Sequence, residues 1–280
     1  MFRPPRPKIG INIFLFLATV ASTLVAGALQ QGVDPLRNPH LIIKGVPFSA
    51  SLMGILLIHE LGHFFTSRRH GVPATLPYFI PVPNLIGTLG AFIMMRGPIR
   101  NRRALLDIGA AGPIAGFVVA VPVTIMGLSM SKVGGLPPGE GITLGNSLLF
   151  SFLTKQVLGD LPDEVMVLLH PMAFAGWIGL FVTSLNLLPM GQLDGGHVAY
   201  ALFGDWHKGI TISTAVALPL LAIKGWPGWF IWALLPLLMM FKHPPPLDPE
   251  TPVDGRRKLI AGISFIILAI TFVPKPFSIF

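Results

Sequence analysis

His59 and His63 stand four residues apart in a chain of 280 residues, and Glu60 directly follows the first of them. On a helix, positions i and i+4 share one face, so the two imidazoles can grip a single metal ion. Glu60 is then placed to reach a water beside the metal rather than the metal itself. Zinc lowers the pKa of such a water to about 7, and a neighbouring carboxylate can take its proton as general base. With 8 histidines in 280 residues, chance supplies this His-Glu-x-x-His pattern only about 0.003 times. The setting adds a second argument. The pattern lies in the apolar stretch SASLMGILLIHELGHFFTSRR, where each ionisable group costs at least ~2–3 kcal/mol unless it is paired or functional.

A catalytic zinc takes a third protein ligand. The chain has no cysteine, which excludes disulfides, thiolate ligands and thiol catalysis and leaves His, Asp and Glu. Asp194 is distinctive among the acidic residues because it sits in the stretch NLLPMGQLDGGH (186–197). Pro189 and the glycines should break a helix here, and unwound backbone can turn a carboxylate towards the two histidines. Read alone, Asp194 fits equally well as the N-cap of a helix starting at Gly195. His197 reads either as a partner to a metal ligand or as a helix-face polar residue, and His170 as a satisfied buried histidine.

These residues must be positioned inside a membrane. Apolar residues make up 52% of the chain and charged residues 11%, with a mean hydropathy of +0.71. A soluble domain carries about a quarter charged residues, and a bilayer core needs about 20 apolar helical residues to cross it. The expected class is an all-α polytopic membrane protein of about six to seven transmembrane helices. Spans fall at roughly 10–30, 46–66, 107–129, 166–188, 209–223, 227–241 and 258–273. The basic start (Arg3, Arg6, Lys8) resembles a signal peptide, but the apolar run after it is long enough for a retained first span.

The net charge of +8 sits in short clusters beside the apolar runs, which reads as a topology signal and excludes nucleic acid as a partner. With a cytoplasmic N-terminus and seven alternating spans, 14 of the 20 Lys and Arg residues fall on the cytoplasmic side, as the positive-inside rule requires of a cell (inner or plasma) membrane protein. Arg96 to Arg103 should face lipid phosphate, and Trp226, Trp229 and Trp232 should form an interfacial belt. Segment 73–106 is unusual, because prolines at 73, 77, 81 and 83 forbid a continuous helix. Gly87–Met95 is too short to span as a helix. It reads either as a β element dipping into the membrane between spans two and three, or as a loop at the interface.

HELGH (59–63) with NLLPMGQLDGG (186–196) resembles the paired motifs of the site-2 protease family of intramembrane zinc metalloproteases, peptidase family M50. The resemblance covers about 45–200 and implies the following. His59, His63 and Asp194 would hold one Zn2+ per chain, Glu60 would be the catalytic base, and Asn186 would hold substrate or intermediate. Gly112–Gly116 resembles an element packed near the catalytic core, and Gly87, Thr88, Leu89, Gly90 and Ala91 resemble a strand that binds extended substrate. The expected organisation is a single membrane domain, 1–280, with a catalytic core at 45–200 and additional helices at 201–280. It would be a compact branch without PDZ-like or CBS-like domains. Its partners would be a transmembrane protein or peptide substrate and the lipid bilayer. A divalent-metal transporter and a non-catalytic zinc-binding scaffold are the competing functions, and neither needs a carboxylate placed to activate water.

Overall fold

The computed structural model describes residues 9–35, 37–134, 142–162, 165–238 and 243–279. The basic residues Arg3, Arg6, Lys8 and Lys242, and the expected end of the sixth span beyond residue 238, lie outside them. In chain order the elements are α1 (Ile9–Gln30), α2 (Val46–Arg69), β1 (Tyr78–Pro81), β2 (Thr88–Phe92), α3 (Arg102–Ser129), β3 (Lys132–Gly134), β4 (Ile142–Leu144) and α4 (Leu148–Leu158). There follow β5 (Met166–Leu168), α5 (Pro171–Asn186), α6 (Asp194–Phe203), α7 (His207–Lys224), α8 (Trp229–Leu238), α9 (Gly255–Thr271) and β6 (Phe277–Ile279). Among the described residues short strands pair in twos: β1 with β2, β3 with β5, and β4 with β6.

Among the described residues four helical stretches are long and apolar enough to cross a membrane: Ile9–Gln30, Pro39–Arg69, Arg102–Ser129 and Asp194–Lys224. The chain is a mostly helical, polytopic membrane protein. A helix occupies each of the seven expected span positions, although α5, α8 and α9 are shorter than those four stretches. The connection between the expected spans 107–129 and 166–188 contains the apolar helix α4, started by Ser147 Oγ, which accepts from Phe150 N–H at 3.1 Å.

By contact density the chain divides into two compact units. The first comprises residues 1–98, 115–132 and 167–179, and the second 99–114, 133–166 and 180–280.

In the first unit, α1 ends where Gly32 takes φ +70, with Gly32 N–H donating to Leu29 O and Val33 N–H to Ala28 O. α2 opens with a proline in its first turn and stops at Gly71, φ +72. Small residues let these helices meet closely, as membrane helices do in the absence of a hydrophobic drive. A Cβ on Gly27 would lie 2.9 Å from Phe48 Cβ, and one on Gly45 would strike Leu24 O.

The segment after α2 is a hairpin, in which Thr88–Phe92 of the stretch Gly87–Met95 forms a strand. Its arms are tied at Arg96 N–H to Pro73 O, at the Ala74–Met95 bridge and along Tyr78–Phe92 and Phe79–Ala91, with a register shift before Pro81–Thr88. The shift falls at the prolines, which cannot donate to a regular ladder. Polar side chains on α1 hold this hairpin by its carbonyls. Asn12 Nδ2 donates to Leu76 O and Pro77 O, Ser22 Oγ to Gly87 O at 2.6 Å, and Gln30 Nε2 to Leu85 O. From Asn12 to Gln30 a helix rises about 27 Å. The nine steps from Leu76 to Leu85 span about 30 Å when extended. The outgoing arm therefore runs the length of α1, a distance comparable with the thickness of a hydrocarbon core.

In the second unit, Leu105, Leu106 and Ala110 of α3 pack with Val198 and Ala201 of α6 and Ala261 of α9. Arg257 on α9 grips Asp107 on α3 through two hydrogen bonds, at 2.9 and 2.7 Å. Two expectations are corrected here. Arg102 does not face lipid phosphate: Nε and Nη2 donate to Ala201 O and Leu202 O at 2.7 and 2.8 Å, satisfying carbonyls at the end of α6 that have no partner within the helix. Trp229 is no interfacial residue either. It is fully buried against Phe181 and Phe272, with Nε1–H donating to Pro274 O at 2.7 Å.

Asp254 caps α9, accepting from Arg257 N–H at 3.0 Å and pairing with the Arg257 guanidinium. The backbone donor first, and the guanidinium with it, hold the Asp254 carboxyl below its ordinary value of 3.8. A depressed carboxyl stabilises the fold above its unfolded pKa and loses that contribution as pH falls through the folded value. Melting curves of the detergent-solubilised protein should therefore lose stability below about pH 4. Asp254→Asn should lower the melting temperature at neutral pH and flatten that acid limb.

Candidate metal centre

The apolar surround of α2 makes it a helix buried on most of its circumference, and its last three turns carry the ionisable residues. His59, Glu60 and His63 are only 5%, 6% and 7% exposed. One helical turn apart, the two imidazoles approach edge to face, with Nε2 atoms 3.2 Å apart. Two nitrogens about 2.0–2.1 Å from one tetrahedral ion stand about 3.3 Å from each other, so this spacing fits a shared zinc.

Gly116 of α3, in the same unit, gives the His59 ring its room. A Cβ there would lie 3.1 Å from His59 Nδ1 and 3.2 Å from its Cβ. Gly116 thus closes against one of the two histidines. Gly116→Ala should push the His59 ring aside and weaken zinc retention several-fold in chelator competition, with the protein still folded by circular dichroism.

In the second unit α5 ends at Asn186, half-buried, and the chain unwinds through 187–193 before α6 begins at Asp194. The N-cap of α6 is Leu193, which makes no side-chain cap bond, so Asp194 is the first helical residue and not a cap. A carboxylate there is favoured by the positive end of the helix dipole. The two glycines after it are required by close approach. A Cβ on Gly195 would run into Leu187 O, and one on Gly196 would lie 2.7 Å from Met190 O. The unwound turn thus folds back on the start of α6, and Gly191 N–H donates to Thr211 Oγ1 at 3.2 Å.

His59 and His63 of the first unit offer two imidazole nitrogens, and Asp194 of the second offers a carboxylate. Two imidazole nitrogens and a carboxylate oxygen are a donor set that zinc takes. His170 lies just before α5, half-buried, with its Nδ1 accepting from Met172 N–H, in keeping with a satisfied histidine. The residues of the expected substrate strand, Gly87 to Ala91, lie at the turn and along β2, and Leu89 is 69% exposed. Sequence reasoning missed Gly109, Tyr200, Thr211 and His243, which all pack around the first turns of α6 and α7. Only their folding partners reveal them, since none belongs to a short motif.

The family model described as Peptidase family M50 matches residues 47–221. The chain is 32% identical over 292 residues to "Probable zinc metalloprotease EGY1, chloroplastic" of Arabidopsis thaliana, covering 94% of this chain and 53% of that protein. It is 29% identical over 249 residues to "Probable zinc metalloprotease EGY2, chloroplastic" of Oryza sativa subsp. indica, covering 86% of this chain and 44% of that one. With "Probable zinc metallopeptidase EGY3, chloroplastic" of Arabidopsis thaliana the identity is 28% over 253 residues, 84% of this chain and 44% of the other. The chain spans about half the length of the curated relatives it matches. No solved structure matches. With two motifs at the spacing a zinc hydrolase needs, and a family match over more than half its length, the chain belongs to peptidase family M50, the site-2 protease family.

Proposed function

We propose that this chain is an intramembrane zinc metalloprotease that hydrolyses peptide bonds in or near transmembrane segments of membrane-protein substrates. The observation that carries the reading is the buried Glu60 beside a histidine pair whose Nε2 atoms stand 3.2 Å apart. Transport or scaffolding explains the ligands but gives that carboxylate no task. We assign His59, His63 and Asp194 as ligands of one Zn2+, Glu60 as the base and Asn186 as a substrate-holding group. The catalytic core is residues 45–200, with 201–280 as added helices of one membrane domain.

Bound zinc supplies Lewis acidity, polarising a peptide carbonyl and acidifying a water. Glu60 takes the proton from that water and passes it to the leaving amine. Asn186, at the end of α5, offers an amide donor to the carbonyl oxygen as charge develops on it. A substrate helix must unwind before its carbonyls can be attacked, which frees backbone donors and acceptors in an apolar setting. Among the described residues β2 pairs with β1 alone, and we assign its other edge, along Thr88–Ala91, to an extended peptide, with Gly87 held by Ser22 and Asn84 as the turn that leads into it. Strand addition there would satisfy the freed groups.

The membrane setting follows from the apolar helices. The orientation, with the basic clusters and N-terminus on the cytoplasmic side, rests on charge bias alone. The relatives' names say chloroplastic, which lends no support to a plasma-membrane location.

Glu60→Gln should reduce cleavage of single-span reporter substrates by at least about 10³-fold while zinc content stays at one per chain. Turnover at the native rate by that variant would contradict the assignment.

A further inference from the structure

The start of α6, which carries Asp194, is a weak helix terminus. Its N-cap makes no side-chain bond, and Gly195 and Gly196 occupy the first turn. Each glycine disfavours helix by about 1 kcal/mol relative to alanine. A ligand held on such a turn needs support from outside it. Two contacts within the same unit meet the side chain one turn after Asp194. On one side Gly109 of α3 leaves room, since a Cβ there would lie 2.7 Å from His197 Cβ and 3.0 Å from Asp194 O. On the other, His197 Nδ1 stands 2.5 Å from His243 Nε2.

The direction of that second bond can be derived. His243 Nδ1 lies 2.7 Å from Pro244 O, and a carbonyl only accepts, so Nδ1 carries the hydrogen. A neutral His243 therefore presents a lone pair at Nε2, and His197 Nδ1–H must be the donor. His243 is 7% exposed, its ring stacked on Tyr200 at 4.6 Å between centroids and met edge-on by His207 at 5.6 Å. The acceptor is thus locked in place by packing, and it fixes both the tautomer and the direction of His197. Groups hydrogen-bonded directly to a metal ligand typically contribute 10–100-fold to metal affinity, and His243 acts further out, through His197 and the turn that carries Asp194, so its effect belongs at the lower end of that range.

We propose that His243, from the segment after α8, is a positioning residue: by accepting the Nδ1 hydrogen of His197 it anchors the first turn of α6 and so holds Asp194 in place for zinc. The proposal rests on the reading of Asp194 as a ligand. The test uses the full-length protein in detergent, with zinc affinity measured by chelator competition and folding by thermal melting. His243→Phe keeps the ring and its stacking but lacks the acceptor, and should raise the zinc dissociation constant about tenfold. His243→Gln, whose amide oxygen reaches the position of Nε2, should restore affinity to within about threefold of the native protein. Native affinity in the Phe variant would overturn the proposal, and so would equal losses in the Phe and Gln variants, which would assign the effect to packing. Asp194→Ala is the control for the underlying reading. Loss of zinc there with native affinity in His243→Phe defeats the positioning role alone, whereas retention of zinc in Asp194→Ala overturns both.

Discussion

Three ionisable side chains on one buried helix have to be compensated, and the rest of the site is arranged around that need. His59, Glu60 and His63 are almost wholly removed from solvent, on a helix whose other faces are apolar. Burying such groups without partners costs several kcal/mol each. A divalent cation answers the requirement economically. It would take lone pairs of both imidazoles and supply positive charge beside the Glu60 carboxylate. Gly116 leaves the His59 ring its space, and the glycine pair after Asp194 lets the unwound turn close on α6. These positions are small because function needs backbone or imidazole where a Cβ would sit.

A second constraint governs the hairpin at 73–96. Strand edges and turns at membrane depth leave donors and acceptors that lipid cannot satisfy, so such backbone survives only against protein or a wet cavity. Here the helix beside it provides the partners. Asn12, Ser22 and Gln30 are polar residues in a mostly apolar span, and each donates to a hairpin carbonyl. Asn84 closes the tip through its side-chain oxygen, which accepts from Ile86 and Gly87 N–H. A first helix that matches no motif thus carries the element proposed to receive the substrate.

Much of this was legible in the sequence because it depends on local chemistry. The His-Glu-x-x-His spacing, the break at Pro189 and the proline-punctuated strand follow from helix geometry and backbone sterics, and all three are found in the structure. What was not legible depends on pairing across long separations. Arg102 reads as one more interfacial arginine until its guanidinium is seen on the carbonyls at the end of α6. Trp229 reads as a belt residue until Pro274 supplies an acceptor in the interior. His243 lies 46 residues from His197, and no periodicity links them. Helix α4 was missed because its short apolar run sits in a connection too polar overall to suggest one.

The central claim is that two imidazoles from one helix turn and the carboxylate at the head of α6 bind a single zinc. The most direct test is X-ray absorption at the zinc edge on the purified, zinc-loaded protein. The account predicts one zinc per chain in a four-coordinate shell of nitrogen and oxygen at about 2.0–2.1 Å, with the outer-shell scattering of two imidazoles. That scattering should fall to one imidazole in His63→Ala. A six-oxygen shell, or imidazole scattering unchanged by that substitution, would contradict it.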